Sequence, residues 1–155
     1  MLIRWRRRPS ASSSGEAAGA AVSTPVPMTA LDERLASLRG LLTAERSRIR
    51  PDTFDLLWAV LEYTEGLLPS WDRSAAVRAA DAVQLSETLT LRVIPGLEDF
   101  LLLPDADKPA HAGTFHGDVT RWADRIDRHR RRLLRVLTSR QDARREIDGG
   151  QPGRR

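Results

Sequence analysis

The sequence predicts an all-α protein: an antiparallel helical bundle of about four helices behind a disordered N-terminal head. Three observations carry this. Apolar residues recur at steps of three and four through most of residues 29–147, no stretch alternates with the two-residue period of a strand, and prolines and glycines fall where the helical pattern breaks. Helices joined by short links bury such stripes most simply as an antiparallel bundle. The chain has 155 residues, 41% apolar and 30% charged, a balance that suits one globular domain rather than a wholly disordered polymer.

Residues 1–28 form the expected head. Arg4, Arg6, Arg7 and Arg8 open it, a Ser-, Ala- and Gly-rich stretch follows, and Pro25-Val26-Pro27 closes it. Such a composition cannot bury enough apolar surface to fold. No hydrophobic segment follows the arginines, so the head does not read as a secretory signal. Met28 and Met1 are the two methionines, and Met28 stands where folded-looking sequence begins; it is the expected true start, which the intact mass of the natively produced protein decides. Trp5 and its neighbouring arginines make too small a patch for more than weak contact with an anionic membrane surface.

The first helix is expected from about Ala30 to Ile49, with Thr29 as N-cap and Leu31, Leu35, Leu38, Leu42 and Ile49 on one stripe. Pro51 suits the first position of a second helix, where its missing N–H costs nothing, and Asp52 and Asp55 favour that positive end. This helix carries two apolar rows, Phe54, Leu57, Trp58, Leu61 and Leu68 on one side and Leu56, Val60, Tyr63 and Leu67 on the other, so it belongs at the centre. Pro69-Ser70 ends it. A third helix, capped by Asp72 or Ser74, places Ala75, Ala79, Ala82, Ser86, Leu89 and Val93 on one stripe until Pro95-Gly96 stops or kinks it. A short segment, Leu97 to Leu103, follows, and Pro104 to Gly113 reads as a loop. The last helix, about Thr114 to Ile147, carries a heptad seam of Phe115, Val119, Trp122, Ile126, His129, Leu133 and Val136. Residues 148–155 are an expected disordered tail.

Charge is divided unevenly. The sequence pI is about 10.8, yet residues 31–117 carry nine basic and fourteen acidic side chains, a net of −5, whereas residues 118–147 carry ten arginines against five acids, a net of +5. Much of the basic charge is therefore expected to answer acids in the same molecule, and the high pI argues little for nucleic acid. With no cysteine, thiolate metal sites, disulfides and cysteine nucleophiles are excluded. A cytoplasmic location is expected. The near-complete use of arginine over lysine, Lys108 being the one lysine, points to a GC-rich, bacterial coding bias.

The motifs for chemistry are missing. His111, His116 and Asp118 match no ligand spacing, the acidic pairs Glu62/Glu65 and Glu98/Asp99 lack a companion nucleophile, and no phosphate-binding glycine loop exists. No catalytic residue, cofactor or metal is therefore expected. The candidate interaction residues lie on the last helix: Trp122 and His129 in the seam, and Arg128, Arg131, Arg132 and Arg135 in the basic run, which includes Arg130. His129 is expected to be a hydrogen-bonded polar residue that fixes register. Asp124 to Arg128 and Asp127 to Arg131 are acid-first i,i+4 pairs that engage part of the run within the helix.

The stretch Ile94-Pro95-Gly96-Leu97-Glu98-Asp99-Phe100-Leu101-Leu102-Leu103-Pro104, followed by Gly113-Thr114 and a long helix, resembles helical bacterial proteins of the XpaC and TelA, or toxic-anion-resistance, type over about residues 50–137. The resemblance implies a cytoplasmic, nonenzymatic helical protein with a link to stress or the envelope, and it transfers no catalytic residue. The function expected is a helical protein-interaction or scaffold domain that binds itself or another helical protein through the seam or an adjoining apolar surface. The alternative is a nucleic-acid-associated regulator acting through the arginine-rich last helix.

Overall fold

Four helical rods make up the computed structural model, which describes residues 24–149, and no strand occurs among them. The first rod is α1 (Met28–Glu45) and the second is α2 (Pro51–Glu65). The third is a broken rod of α3 (Trp71–Val77), α4 (Ala79–Thr88) and α5 (Ile94–Leu102), and the fourth is α6 (Lys108–Gly149). Arg39 pairs with Glu65 and Arg46 lies over Phe54, so α1 and α2 are antiparallel. Asp81 meets His129 and Phe100 stacks on Phe115, so the third rod is antiparallel to α6. Thr53 meets His116 and Tyr63 lies under Arg130, so α2 and α6 run the same way, as alternate members of an up-down-up-down bundle must. The predicted all-α bundle is the observed fold.

The leucine stripe of α1 is fully buried, and Ile49 beyond it is buried as well. Its ends differ from expectation. Thr29 is not the cap: Pro27, already extended at φ −58° and ψ 150°, leads directly into a helix that starts at Met28, and its carbonyl accepts the Leu31 N–H at 3.1 Å. At the other end a tight turn, Arg46–Arg48, replaces the last α-helical turn, and Ile49 and Arg50 are extended. Pro51 causes this, because its ring excludes the α conformation from the residue before it. In α2 both rows contribute to the core, although Tyr63 at the rim is 45% exposed.

The third rod departs most from its prediction. It begins at Trp71, with Ser70 in the cap position, and Ser74 bonds back to the Ser70 carbonyl at 2.9 Å. It breaks at Arg78 (φ −128°, ψ 54°), which leaves Ala79 exposed instead of on the buried stripe. Pro95 kinks the rod without stopping it. The turn Leu89–Val93 widens to π geometry, and the Ile94 N–H donates to the Leu89 carbonyl, so the hydrogen-bond ladder has already slipped by one residue where Pro95 lacks a donor. The predicted loop is also too long. Pro109 occupies the first turn of α6, where no donor is required, so the helix begins at Lys108 and includes His111 and Gly113. The buried Lys108 ammonium donates to the carbonyls of Leu101 (3.3 Å) and Leu103 and to Asp105 Oδ1 (2.8 Å), closing the carbonyl end of α5. With 42 residues α6 is about 63 Å long, and it continues past the expected boundary at Ile147 to Gly149.

The expected head contributes its last residues to the fold. Trp71 is 1% exposed and donates its indole N–H to the Val26 carbonyl at 2.8 Å, while Val26 packs against the core. Trp5 and its neighbouring arginines, from which little membrane contact is expected, the rest of the expected disordered head up to residue 23 and the tail beyond residue 149 lie outside the described residues. A chain starting at Met28 loses the Val26 carbonyl and leaves a buried donor unpaired, at a cost of about 1–3 kcal/mol. Urea unfolding should show a lower midpoint for that chain than for a chain starting at Thr24. Equal midpoints for the chains starting at Thr24 and Met28 would show that the contact contributes nothing.

Candidate functional site

The polar centre of the molecule is one carboxylate. Asp81 projects from the first turn of α4 toward α6 and is 4% exposed. His129 Nδ1 lies 2.9 Å from Asp81 Oδ1, and since the carboxylate only accepts, the ring nitrogen carries the proton. Arg132 reaches the same oxygen at 3.3 Å. Arg78, at the break before α4, donates to Oδ2 through Nε at 2.7 Å and Nη2 at 2.6 Å. Burial pushes the Asp81 pKa up, but the hydrogen bonds from His129, Arg78 and Arg132 outweigh it and hold the carboxyl below its ordinary range. Asp81 therefore stays ionised and joins α4 to α6. His129 has the expected hydrogen-bonded role, with a partner that sequence spacing did not reveal.

The arginine run is divided by the helix into distinct environments. Arg131 pairs with Asp127, as its i,i+4 spacing suggests. Arg130 is 3.5 Å from Asp127 and stacks over Tyr63 at 4.7 Å. Arg128 does not reach the Asp124 carboxylate; its Nε lies 3.3 Å from the Asp124 main-chain carbonyl. Arg135 likewise reaches only the Arg131 carbonyl, at 3.5 Å. Among the described residues Arg132 alone in the run reaches a carboxylate on another rod. Pairing on α6 is thus mainly within the helix rather than with the acidic body.

Beside the Asp81 cluster is a cleft of about 310 Å³ lined by Arg78, Arg132, Arg135, Val136, Ser139 and Arg140. Four guanidinium side chains from two rods line it, and one buried carboxylate answers two of them. Among the described residues, Arg135 and Arg140 have no carboxylate within 4.0 Å. Arg78 and Arg132 remain about half exposed despite their bonds to Asp81, with side-chain exposures of 43% and 49%. Guanidinium groups engage anions through paired N–H donors, and this cleft gathers four of them, two held by Asp81.

The seam of α6 points inward as far as Leu133, whereas half-buried Val136 lines the cleft. Phe115, Val119, Ile126 and Leu133 are buried. Trp122 lies edge-on to Phe115, with centroids 6.4 Å apart, and spreads across Gly96 of α5; a Cβ at Gly96 would lie 3.0 Å from its Cζ3 and closer still to Cη2. Trp122 and His129 are therefore occupied within the bundle, and the outer surface offered by the candidate residues is the arginine face.

Most of the remaining sequence candidates have partners within the fold. His116 Nδ1 meets the buried Thr53 hydroxyl at 2.9 Å and joins α6 to the start of α2. Asp118 pairs with Arg121, and His111 is exposed. Asp52 accepts the Thr53 N–H at 2.8 Å, and its bond to Arg50, aided by that N–H, lowers its pKa to about 2. Glu65 pairs with Arg39, and Glu62 accepts the Trp58 indole N–H at 2.8 Å. No group of three or more potential metal ligands occurs among the described residues, nor is any described helix long and apolar enough to cross a membrane. Sequence reading missed Arg78 and Arg140, the cleft arginines outside the named run. Arg78 sits in a helix break that no proline or glycine marks.

Comparison with protein-family models, with curated proteins and with solved structures yields no match.

Proposed function

We propose that this chain is a helical protein-interaction domain, binding rather than catalytic, that docks an acidic partner on the arginine face of α6. The observation that supports this reading is the cleft lined by Arg78, Arg132, Arg135 and Arg140, of which only Arg78 and Arg132 are answered by the Asp81 carboxylate. Such an excess of fixed positive charge is complementary to a negatively charged surface and speeds its approach. The reading differs from a purely apolar docking mode because the heptad seam is spent on the core. Its setting is the cytoplasm, which suits a cysteine-free chain, and the likeness to the toxic-anion-resistance type is compatible with a nonenzymatic helical role.

The alternative, a nucleic-acid-associated regulator, draws on the same helix. A nucleic-acid backbone presents a long row of phosphates, whereas Asp124, Asp127 and Asp142 interrupt the basic side chains along α6. The geometry therefore favours a local acidic epitope over an extended polyanion. Fluorescence anisotropy separates the two. An Asp- and Glu-rich peptide should bind the full chain and lose at least tenfold in affinity with R135E/R140E. Duplex DNA binding that strengthens with duplex length and falls equally with R128E would instead favour the regulator. Sedimentation of the full chain alone reports whether the acidic partner is a second copy.

A further inference from the structure

We infer that the arginine cleft is a binding site for a phosphate monoester carried on a segment of the partner protein. The inference rests on the docking reading above and specifies its ligand. A carboxylate brings one charge on two oxygens, whereas a phosphate monoester near neutral pH carries up to two charges and three terminal oxygens on one centre, so it draws more from a group of arginines. The cleft has that form. Arg78 and Arg132 enter from different rods, and Asp81 holds Arg78 through Nε and Nη2 and Arg132 through Nη1 without neutralising the group. Arg135 and Arg140, with no carboxylate partner among the described residues, supply the charge that the Asp81 cluster leaves unanswered. Val136 adds an apolar wall for the carbon chain that bears the phosphate, and Ser139, whose hydroxyl donates to the Arg135 carbonyl at 2.9 Å, helps hold that turn of α6.

A diester is the poorer fit, because it brings one charge per phosphate. The cleft volume, about 310 Å³, suits one phosphorylated side chain rather than a strand.

The test uses the full chain, isothermal titration and ¹⁵N chemical-shift mapping. The probes are an acidic peptide carrying one phosphoserine, the same peptide with Glu at that position, free O-phosphoserine, inorganic phosphate and a 20-nucleotide DNA. The phosphopeptide should bind at least tenfold tighter than its Glu counterpart and shift the amides of Arg78 and of residues 135–140. The R135Q and R140Q variants leave the Asp81 cluster intact; each should weaken phosphopeptide binding at least fivefold with unchanged circular dichroism, and R128Q, outside the cleft, should not. Equal binding of the Glu peptide would overturn the phosphate assignment while leaving the acidic-docking reading in place. Free phosphoserine binding as tightly as the peptide would overturn the assignment to a partner segment, and DNA binding more tightly than the phosphopeptide would overturn the monoester. Absence of binding by every anion would remove both the inference and the docking reading.

Discussion

Replacing Gly96 with alanine is expected to destabilise the protein by about 1–3 kcal/mol, the range for forcing an added methyl group into a packed site. The direction is informative because the same change inside an ordinary exposed helix stabilises by about 0.5–1 kcal/mol. Here the added Cβ falls on the Trp122 indole, a rigid ring already placed against Phe115, and Phe115 is itself stacked on Phe100 at 4.3 Å. The ring cannot yield without moving α6 away from α5. Combining Gly96→Ala with Trp122→Leu removes the obstacle, so the double variant should be more stable than the sum of the single effects predicts, with a coupling of at least about 1 kcal/mol. Urea unfolding of the four proteins measures this. Additive effects, or a stabilised Gly96→Ala variant, would show that the close approach is not constraining.

Removing the Asp81 carboxylate is the other large expected effect. Asp81→Ala strips the acceptor from His129, Arg78 and Arg132 together. Loss of charge-assisted hydrogen bonds at a buried site costs about 2–3 kcal/mol. The upper range for broken buried ion pairs does not apply, because the two arginines are half exposed and recover water. A pH dependence follows. The folded-state pKa of Asp81 is depressed, so its contribution is fully present above the unfolded-state value of about 4 and is lost as pH falls through the lower folded value. Asp81→Asn keeps the shape and abolishes the titration. The stability of the wild-type protein should therefore fall more steeply than that of Asp81→Asn below about pH 4; parallel curves would mean that the carboxylate is not selectively stabilised by the fold. The same substitution should loosen Arg78 and Arg132 and weaken anion binding in the cleft, which links the stability of the fold to its proposed use.

Local sequence determined a good deal of this molecule. The leucine stripe from Leu31 to Leu42 and the α6 stripe from Phe115 to Leu133 were legible because a helix brings residues three and four apart onto one face. Pro51 at the start of α2 was legible because a proline there sacrifices no hydrogen bond. The same proline logic misled at Pro109, which reads equally well as a loop residue or as the first turn of a helix; the buried Lys108 ammonium, bonding to carbonyls several residues back, accompanies the second outcome. Pro95 was likewise ambiguous between a stop and a kink, and the core position of Leu89, Val93, Ile94 and Leu97 keeps the rod continuous through a widened turn.

What only the tertiary structure decided is which polar residues meet. Asp81 and His129 are 48 residues apart, and no periodicity within either helix encodes the register that puts them 2.9 Å from each other. That register is set by side-chain packing between rods, including the fit of Trp122 over Gly96. The basic run shows the same division. Sequence spacing identified its charge and the Arg131 pairing with Asp127, but the inward turn of the seam and the arrival of Arg78 from another rod turned a uniform-looking stretch of arginines into a paired flank and a cleft. Helical periodicity is a local property of the backbone, and a binding site is a property of rods brought together by their buried faces.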